Sequence, residues 1–357
     1  MTTFDAFDFH LNQPGTLIAA LPAVLGFVPE HSLVLATIEH GQLGCVMRVD
    51  LSTSLADALD HLAEVAGASG QDAAIAVIVD EDGAVCRLCL DEHRELAFAL
   101  ADALSSHGIE LLASFVVDRL EAGGAWRCAV DQTCRGTIED PGSTPMAAAA
   151  VLDGRRLYAR RADLLEVIAV QDPGHTAMLS AVLGRIEDEG DDEDDDDDAP
   201  RTDSDASADV EHALEMSRRV SDGALLTDED LIRLARGISD PRVRDTLYAL
   251  AVGCEAGRAE SLWALLARTL PDPWRAEALV LLAFSAYARG DGPLAGVSLE
   301  AALRGDPRHR MAAMLDQALQ TGMRPDQIRE LAQTGYRLAK RLGIRLPPRT
   351  AWGNRAG

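Results

Sequence analysis

Lysine is almost missing from this chain. Of 33 basic side chains, 32 are arginine and one is Lys340. A P-loop needs a lysine at the phosphates, a kinase needs a strand lysine on ATP, and Schiff-base chemistry needs a buried one. Lys340 sits in a Leu-Ala-Lys-Arg context that suits none of these. No G-x-S-x-G, H-E-x-x-H, G-x-G-x-x-G or G-x-x-x-x-G-K sequence occurs, so serine, zincin, dinucleotide and P-loop chemistries lack their local signatures. The first ten residues lack a basic stretch followed by an apolar one, which argues against a secretory signal. The longest apolar run, Ala276 to Ala288, contains Glu277 and is too short to span a bilayer. Six dispersed cysteines (Cys45, Cys86, Cys89, Cys128, Cys134 and Cys254) do not read as a disulfide framework. The expectation is a cytoplasmic protein with no membrane contact, no metal, no cofactor and no assignable catalytic residue.

The 357 residues, 47% hydrophobic and 25% charged, are enough for two globular domains. The formal charge of −25 is unevenly placed: residues 187–211 hold fifteen acids and one base, leaving −11 on the rest. That run repels itself and has little to bury, so it reads as a disordered spacer, with a nucleic-acid mimic or a clamp for a basic partner as the sharper reading. Heavy alanine and arginine use suggests a high-GC bacterial genome.

Before the acidic run, three segments look like β-hairpins: 33–51, 74–90 and 111–130, the second turning at Asp80-Glu-Asp-Gly83. Helices fall between and around them. Ser54-Leu-Ala-Asp57 is a capping box ahead of Leu55, Leu59, Leu62 and Ala66 on one face, and Asp91 is a candidate cap for a helix ending at Gly108. Gly15–Leu25 and Thr144–Leu152 flank the set. Repeated hairpin–helix units predict a mixed sheet covered by helices. After the acidic run the pattern turns helical, and Asp-Pro recurs at 240–241, 272–273 and 306–307. Leu282, Ala283, Ala286, Gly290, Ala295, Leu299, Ala302 and Pro307 fall at tetratricopeptide spacing, with looser units over 243–270 and 311–342.

Residues with possible chemistry each have a plainer explanation. Cys86-x-x-Cys89 lies inside a predicted strand, which sends i and i+3 to opposite faces, so core and edge positions are expected rather than a zinc or redox pair. His61 and Glu64, one helical turn apart, read as a surface pair. Arg155, Arg156, Arg160 and Arg161 could grip phosphate or an acidic partner, or pair with the chain's own acids. The last part of the chain carries Arg337, Lys340, Arg341, Arg345, Arg349 and Arg355, and in so acidic a chain self-pairing is favoured over nucleic acid. Arg48 and Asp50 alternate with apolar residues and so project from one face of a strand, as a salt bridge or as part of a ligand site.

The segment Leu21-Pro-Ala-Val-Leu-Gly-Phe-Val-Pro-Glu-His-Ser-Leu-Val34, followed by Arg48-Val-Asp-Leu51, resembles an actinobacterial family called domain of unknown function 4192. The stretch from Gly154 to Leu165 and Arg-Gly-Asp-Gly at 289–292 resemble its later parts. The resemblance implies an actinobacterial cytoplasmic protein and supplies no catalytic residue. Physically, Pro22 should kink or restart a helix, Gly26 to Pro29 should turn the chain into the first strand, and Ser32 can satisfy backbone there.

Together these readings give a mixed α/β domain at 1–183, an acidic linker at 184–211, a tetratricopeptide-like all-α domain at 212–345 and a basic tail at 346–357. The leading function is a non-catalytic adaptor or regulatory protein that binds a protein partner through 212–345. The alternative is a small-ligand or nucleotide-handling enzyme with its site near Arg48, Asp50 and Arg87. The third is nucleic-acid association through the arginine clusters.

Overall fold

The computed structural model describes residues 13–39, 42–51, 55–68, 71–82, 84, 86–131, 133–152, 157–191 and 201–350. The chain forms two compact units, Met1–Asp163 with Gln320–Gly322, and Leu164–Leu319 with Met323–Gly357. The division falls before the boundary at 183 suggested by composition. Residues 164–183 belong to the helical unit because Leu164, Ile168, Leu179 and Leu183 are buried. Arg275 donates to the Ile168 carbonyl at 2.9 Å, and the Thr176 hydroxyl to that of Thr269 at 3.0 Å.

The α/β unit opens with helix α1 (Pro14–Leu25), which continues through Pro22 and stops at Gly26, φ 74°. The left-handed conformation needs a residue without a Cβ, and the Gly26 N–H returns to the Pro22 carbonyl. Then come β1 (Ser32–Glu39), β2 (Gln42–Asp50), α2 (Leu55–Ala68), β3 (Ala73–Val79), α3 (Arg87–Ser106), β4 (Glu110–Val117), β5 (Ala125–Cys128), β6 (Arg135–Thr137) and α4 (Pro145–Leu152). A short helix, α5 (Arg161–Leu165), closes this series. The six strands form one mixed sheet in the order β2-β1-β3-β4-β5-β6, in which β3 and β4 are parallel and the other pairs antiparallel.

Alternation along the central strands sends side chains to both faces. Leu33, Leu35, Ala76 and Ile78 pack with Leu59, Leu62, Leu100 and Leu104 of α2 and α3. On α1 and α4, Ala20, Ala23, Met146 and Ala147 form a second cluster, with Leu43 of β2 packed against it. Both faces are therefore covered, as expected for a sheet with a parallel pair at its centre.

The first and third hairpins form as expected. The second does not. Cys86 is the N-cap of α3 and residues 87–90 are its first turn, with Leu88 76% exposed, while Val85 lies outside the described residues. The reason is topological: β3 already pairs with β1 on one edge and β4 on the other, so a strand returning from Asp80-Glu-Asp-Gly83 has no free edge. The chain instead crosses over through α3 to a parallel strand. The unforeseen β6 depends on Trp126, whose indole donates to the Thr137 carbonyl at 3.2 Å and lies where a Cβ on Gly136 would come within 2.9 Å.

The helical unit contains α6 (Pro173–Asp191), α7 (Asp203–Ser221), α8 (Asp228–Ser239), α9 (Pro241–Leu247), α10 (Ala256–Thr269), α11 (Trp274–Arg289), α12 (Gly292–Gly305), α13 (Arg310–Gln320) and α14 (Pro325–Arg341). Part of the expected acidic linker is thus helix. Thr202 and Asp205 close a reciprocal capping box that starts α7, while Ala206 and Val210 are buried. Residues 192–200, the rest of the acidic run, lie outside the described residues. The looser repeat over 243–270 is interrupted by a 3-10 turn, Tyr248–Val252. The expected basic tail stays packed as far as 350: Thr350 N–H bonds the Val252 carbonyl and Cys254 N–H bonds that of Pro348, both at 2.9 Å. Arg355 lies outside the described residues. Helix α11, the apolar run of the sequence, is buried on nearly every side. Among the described residues, no helix is long and apolar enough to cross a membrane.

Candidate functional site

The register of the sheet gathers its polar residues at one end. Ser32 at the start of β1 stands opposite Asp50 at the end of β2 and Val79 at the end of β3, and Val79 stands opposite Val117 at the end of β4. Residues 30–32, 50, 80 and 118 therefore meet outside the carboxyl ends of the two parallel strands. In open α/β sheets this is where loops leave the sheet and ligands are held.

Two residues singled out by their alternation along a strand, Arg48 and Asp50, are brought together here. The Arg48 guanidinium pairs with Asp50, donates from Nε to the buried Ser32 hydroxyl at 2.8 Å and lies 6.0 Å from the Phe27 ring centroid. Ser32 in turn donates to the Glu30 carbonyl. Arg48 thus ties β2 to the Phe27–Ser32 loop, a bracing role consistent with the salt-bridge expectation. Arg87 is the first residue of α3, at the same end of the sheet, and its side chain lies outside the described part. In the arginine cluster, Arg160 pairs with Asp163 at 3.0 Å and Arg161 opens α5, while Arg155 and Arg156 lie outside the described residues.

The residues that sequence reasoning passed over are Asp80, His93 and His31. Asp80 comes directly after β3, with its amide bonded to the Val117 carbonyl at 2.9 Å. Its Oδ2 lies 2.9 Å from Nε2 of His93, where the ring N–H donates to the carboxylate. Its Oδ1 lies 3.6 Å from Nδ1 of His31, too far for a good hydrogen bond. His93 is 6% exposed, and neither its Nδ1 nor Asp80 Oδ1 makes a hydrogen bond among the described residues. His31 is well exposed and held at φ 46°, an uncommon conformation for a residue with a side chain. No arginine or lysine pairs with Asp80 among the described residues, so the carboxylate faces only imidazoles. Asp80 was hidden in a turn signal and His93 in a helix whose start was placed too late.

Cys86 and Cys89 belong to the same corner. Cys86 is the N-cap of α3 and Cys89 its third residue, so the strand expected to separate their sulfurs is absent. Both are half-buried free thiols. The Cys89 amide, the Cys89 thiol and the Leu88 amide pull the Cys86 thiol below its ordinary pKa, although no capping hydrogen bond closes. Cys89 is pushed up by its interaction with Cys86, by burial and by the negative fields of Glu92 and Asp80. Among the described residues, no group of three or more His, Cys, Asp and Glu side chains is placed to hold a metal ion.

The helical unit contains a different buried polar group. Glu277 receives Arg244 at 3.1 Å on one oxygen and lies 3.1 Å from Nε2 of His309 on the other. Tyr248 lies beside this group and packs on Phe284, ring centroids 4.6 Å apart; burial pushes its hydroxyl pKa far upward. The cation balances the carboxylate, which suits a structural pair. Elsewhere in this unit an open groove is lined by Asp326, Arg329, Glu330, Gln333, Arg349 and Thr350.

No curated protein and no solved structure matches the chain. The family described as Domain of unknown function (DUF4192) matches residues 14–326, most of the sequence, and the loop that brings Ser32 and His31 to the sheet end falls within that match. The chain belongs to this family.

Proposed function

We propose that the α/β unit is the working half of a cytoplasmic protein and takes up a small polar ligand outside the carboxyl ends of β3 and β4. The observation that carries this reading is the Asp80–His93 pair. It leaves a carboxylate oxygen and, with Nε2 donating, a ring nitrogen as buried acceptors with no donor among the described residues. Buried polar atoms are ordinarily satisfied, and each one left alone costs about 1–3 kcal/mol. A ligand with hydroxyl or amine donors relieves both. The sequence alternative of a ligand-handling site near Arg48, Asp50 and Arg87 is thereby favoured, with Arg48 and Asp50 bracing the loop.

The test is a thermal-shift panel of polyols, amines, carboxylates and nucleotides on the full chain and on Asp80→Asn. Donor-bearing compounds should raise the melting temperature of the wild type and not of the variant. Equal shifts in both proteins, or none in either, would refute the reading.

A second reading, the adaptor expected from the sequence, rests on the helical unit. Residues 282–302 at tetratricopeptide spacing fall on α11 and α12, where Leu282, Ala283, Ala286, Ala295, Leu299 and Ala302 are buried, supporting close helix packing of that kind. The polar groove along α14 suits a charged peptide rather than an apolar helix. Partner binding through 212–345 is a proposal on these grounds; nucleic acid is a weaker one.

A further inference from the structure

The cysteine pair lies where a crossover helix leaves the carboxyl end of a parallel strand. Cys86 occupies the N-cap position of α3 and Cys89 lies in its first turn, between β3 and the parallel β4 in the chain. Cys86 is extended (φ −82°, ψ 127°) where it enters the helix, and its thiol is hydrogen-bonded to that of Cys89 in the first turn. A disulfide needs Cβ atoms about 3.5–4.5 Å apart, so a small closure of the first turn joins the sulfurs. In the strand expected from the sequence such closure would be excluded.

A second feature points to chemistry at this corner. His93 lies one turn beyond Cys89 on the same side of α3 and is more than nine-tenths buried, with Nδ1 unbonded among the described residues. Its other nitrogen holds Asp80, whose field reaches Cys89. Half-buried thiols, helix amides beside Cys86 and a buried imidazole together make a reactive environment, unlike that of Cys45, whose thiol is pushed up by burial alone.

We propose that Cys86 and Cys89 form a redox-active dithiol that exchanges with an external disulfide, Cys86 attacking and Cys89 resolving. The Cys86 thiolate attacks one sulfur of the substrate. A Cys86–substrate bond forms, the substrate S–S bond breaks, and the released thiolate takes a proton from solvent. Cys89 then gives up its proton to solvent and attacks the Cys86 sulfur. The Cys86–Cys89 disulfide forms and the second substrate thiolate leaves, to be protonated in turn. Two electrons pass from the dithiol to the substrate, and two protons accompany them. The opposite pulls on the two thiols support this order of attack, because hydrogen bonds from Cys89 and Leu88 favour the thiolate on Cys86, whereas Cys86, burial and nearby acids disfavour it on Cys89. This activity shares its corner with the proposed ligand site but does not need that ligand.

The full chain is equilibrated in buffers of reduced and oxidised glutathione, quenched with acid, alkylated and mapped by peptide mass spectrometry. The Cys86–Cys89 disulfide should form in the wild type without bridging Cys45, Cys128, Cys134 or Cys254. Cys89→Ser should retain glutathione on Cys86, with release slowed by about tenfold or more. Cys86→Ser should lose the fast-reacting thiol, leaving Cys89 slower by about tenfold. A parallel arm with insulin as the disulfide separates a protein substrate from a small one, since rapid reduction of either supports exchange. Three results would overturn the proposal: no Cys86–Cys89 bridge at full oxidation of the wild type, faster alkylation of Cys89 than of Cys86, or stoichiometric zinc lost in either variant. The first two are read on unmutated protein, so a variant that fails to fold does not blur them. Failure of the thermal-shift panel leaves this outcome untouched, and the reverse also holds.

Discussion

Each unit buries a histidine against a carboxylate, and the two pairs are built differently. In the helical unit Arg244 donates to both oxygens of Glu277, at 3.1 and 3.3 Å, so the carboxylate is neutralised within the core, and His309 Nε2 lies 3.1 Å from it without closing a hydrogen bond. In the α/β unit the Asp80 carboxylate pairs only with imidazoles among the described residues, one of its oxygens makes no hydrogen bond there, and two thiols stand at the adjoining helix start. The difference separates architecture from chemistry. A charge balanced by a cation and enclosed by helices has little left to do, whereas an acceptor without a donor beside reactive sulfur is held ready for something outside the protein.

That comparison is most directly challenged by removing each carboxylate. Glu277→Ala leaves the largely buried Arg244 with only Asp245, at 3.1 Å, as a carboxylate partner among the described residues and should destabilise the helical unit by about 3 kcal/mol in chemical denaturation monitored by far-ultraviolet circular dichroism. Asp80→Ala should cost less, about 1–2 kcal/mol, because it strands a histidine that can be neutral rather than an obligatory cation. If the two costs are reversed, Asp80 is the structural residue and Glu277 the one to study.

Smaller effects test where the helical unit begins. Thr202→Ala removes the α7 cap and should cost about 1 kcal/mol of that unit's stability. If 202–211 were spacer, the substitution would leave the denaturation curve unchanged. Asp205 in the same capping box is held below the usual carboxylate range by hydrogen bonds from the Thr202 hydroxyl and amide. A depressed pKa stabilises above the unfolded value, near pH 4, and the stabilisation fades as pH falls through the folded value. The wild type should therefore lose this increment in acid, and Thr202→Ala should show a flatter acid limb.

The mildest probe is alkaline. Tyr287 donates to the Met323 carbonyl at 2.8 Å, and burial pushes its hydroxyl up to about 12. The ordinary tyrosine value is about 10. A raised pKa gives stability that is complete below about pH 10 and lost as pH rises through about 12. Denaturation midpoints at pH 9 and 11 should fall more steeply for the wild type than for Tyr287→Phe. Parallel slopes would place the hydroxyl in contact with solvent.

Much of the organisation was legible from local patterns. Leu33–Ile38 and then Leu43–Leu51 read as a hairpin because one β-strand turns directly into its neighbour, and β1 and β2 form it. The apolar stripes of α2 and the helix signals after residue 212 were equally local. The candidate site was less accessible. Arg48 and Asp50 share a strand face by the period-two rule and were found. Asp80 and His93 come together only through a crossover, and His31 reaches Asp80 only because β1 and β3 pair antiparallel with Ser32 opposite Val79.

Composition and periodicity alone determined that the chain has an α/β part and a helical part, that lysine chemistry is nearly excluded, and that the charge is concentrated in one run. Only tertiary structure decided the path of the chain beyond β3. A strand needs a free sheet edge, and sequence does not reveal that β1 and β4 occupy both edges of β3. With no edge to take, residues 87–90 become the first turn of a helix, and Cys86 at its N-cap and Cys89 within that turn lie together instead of on opposite faces of a strand.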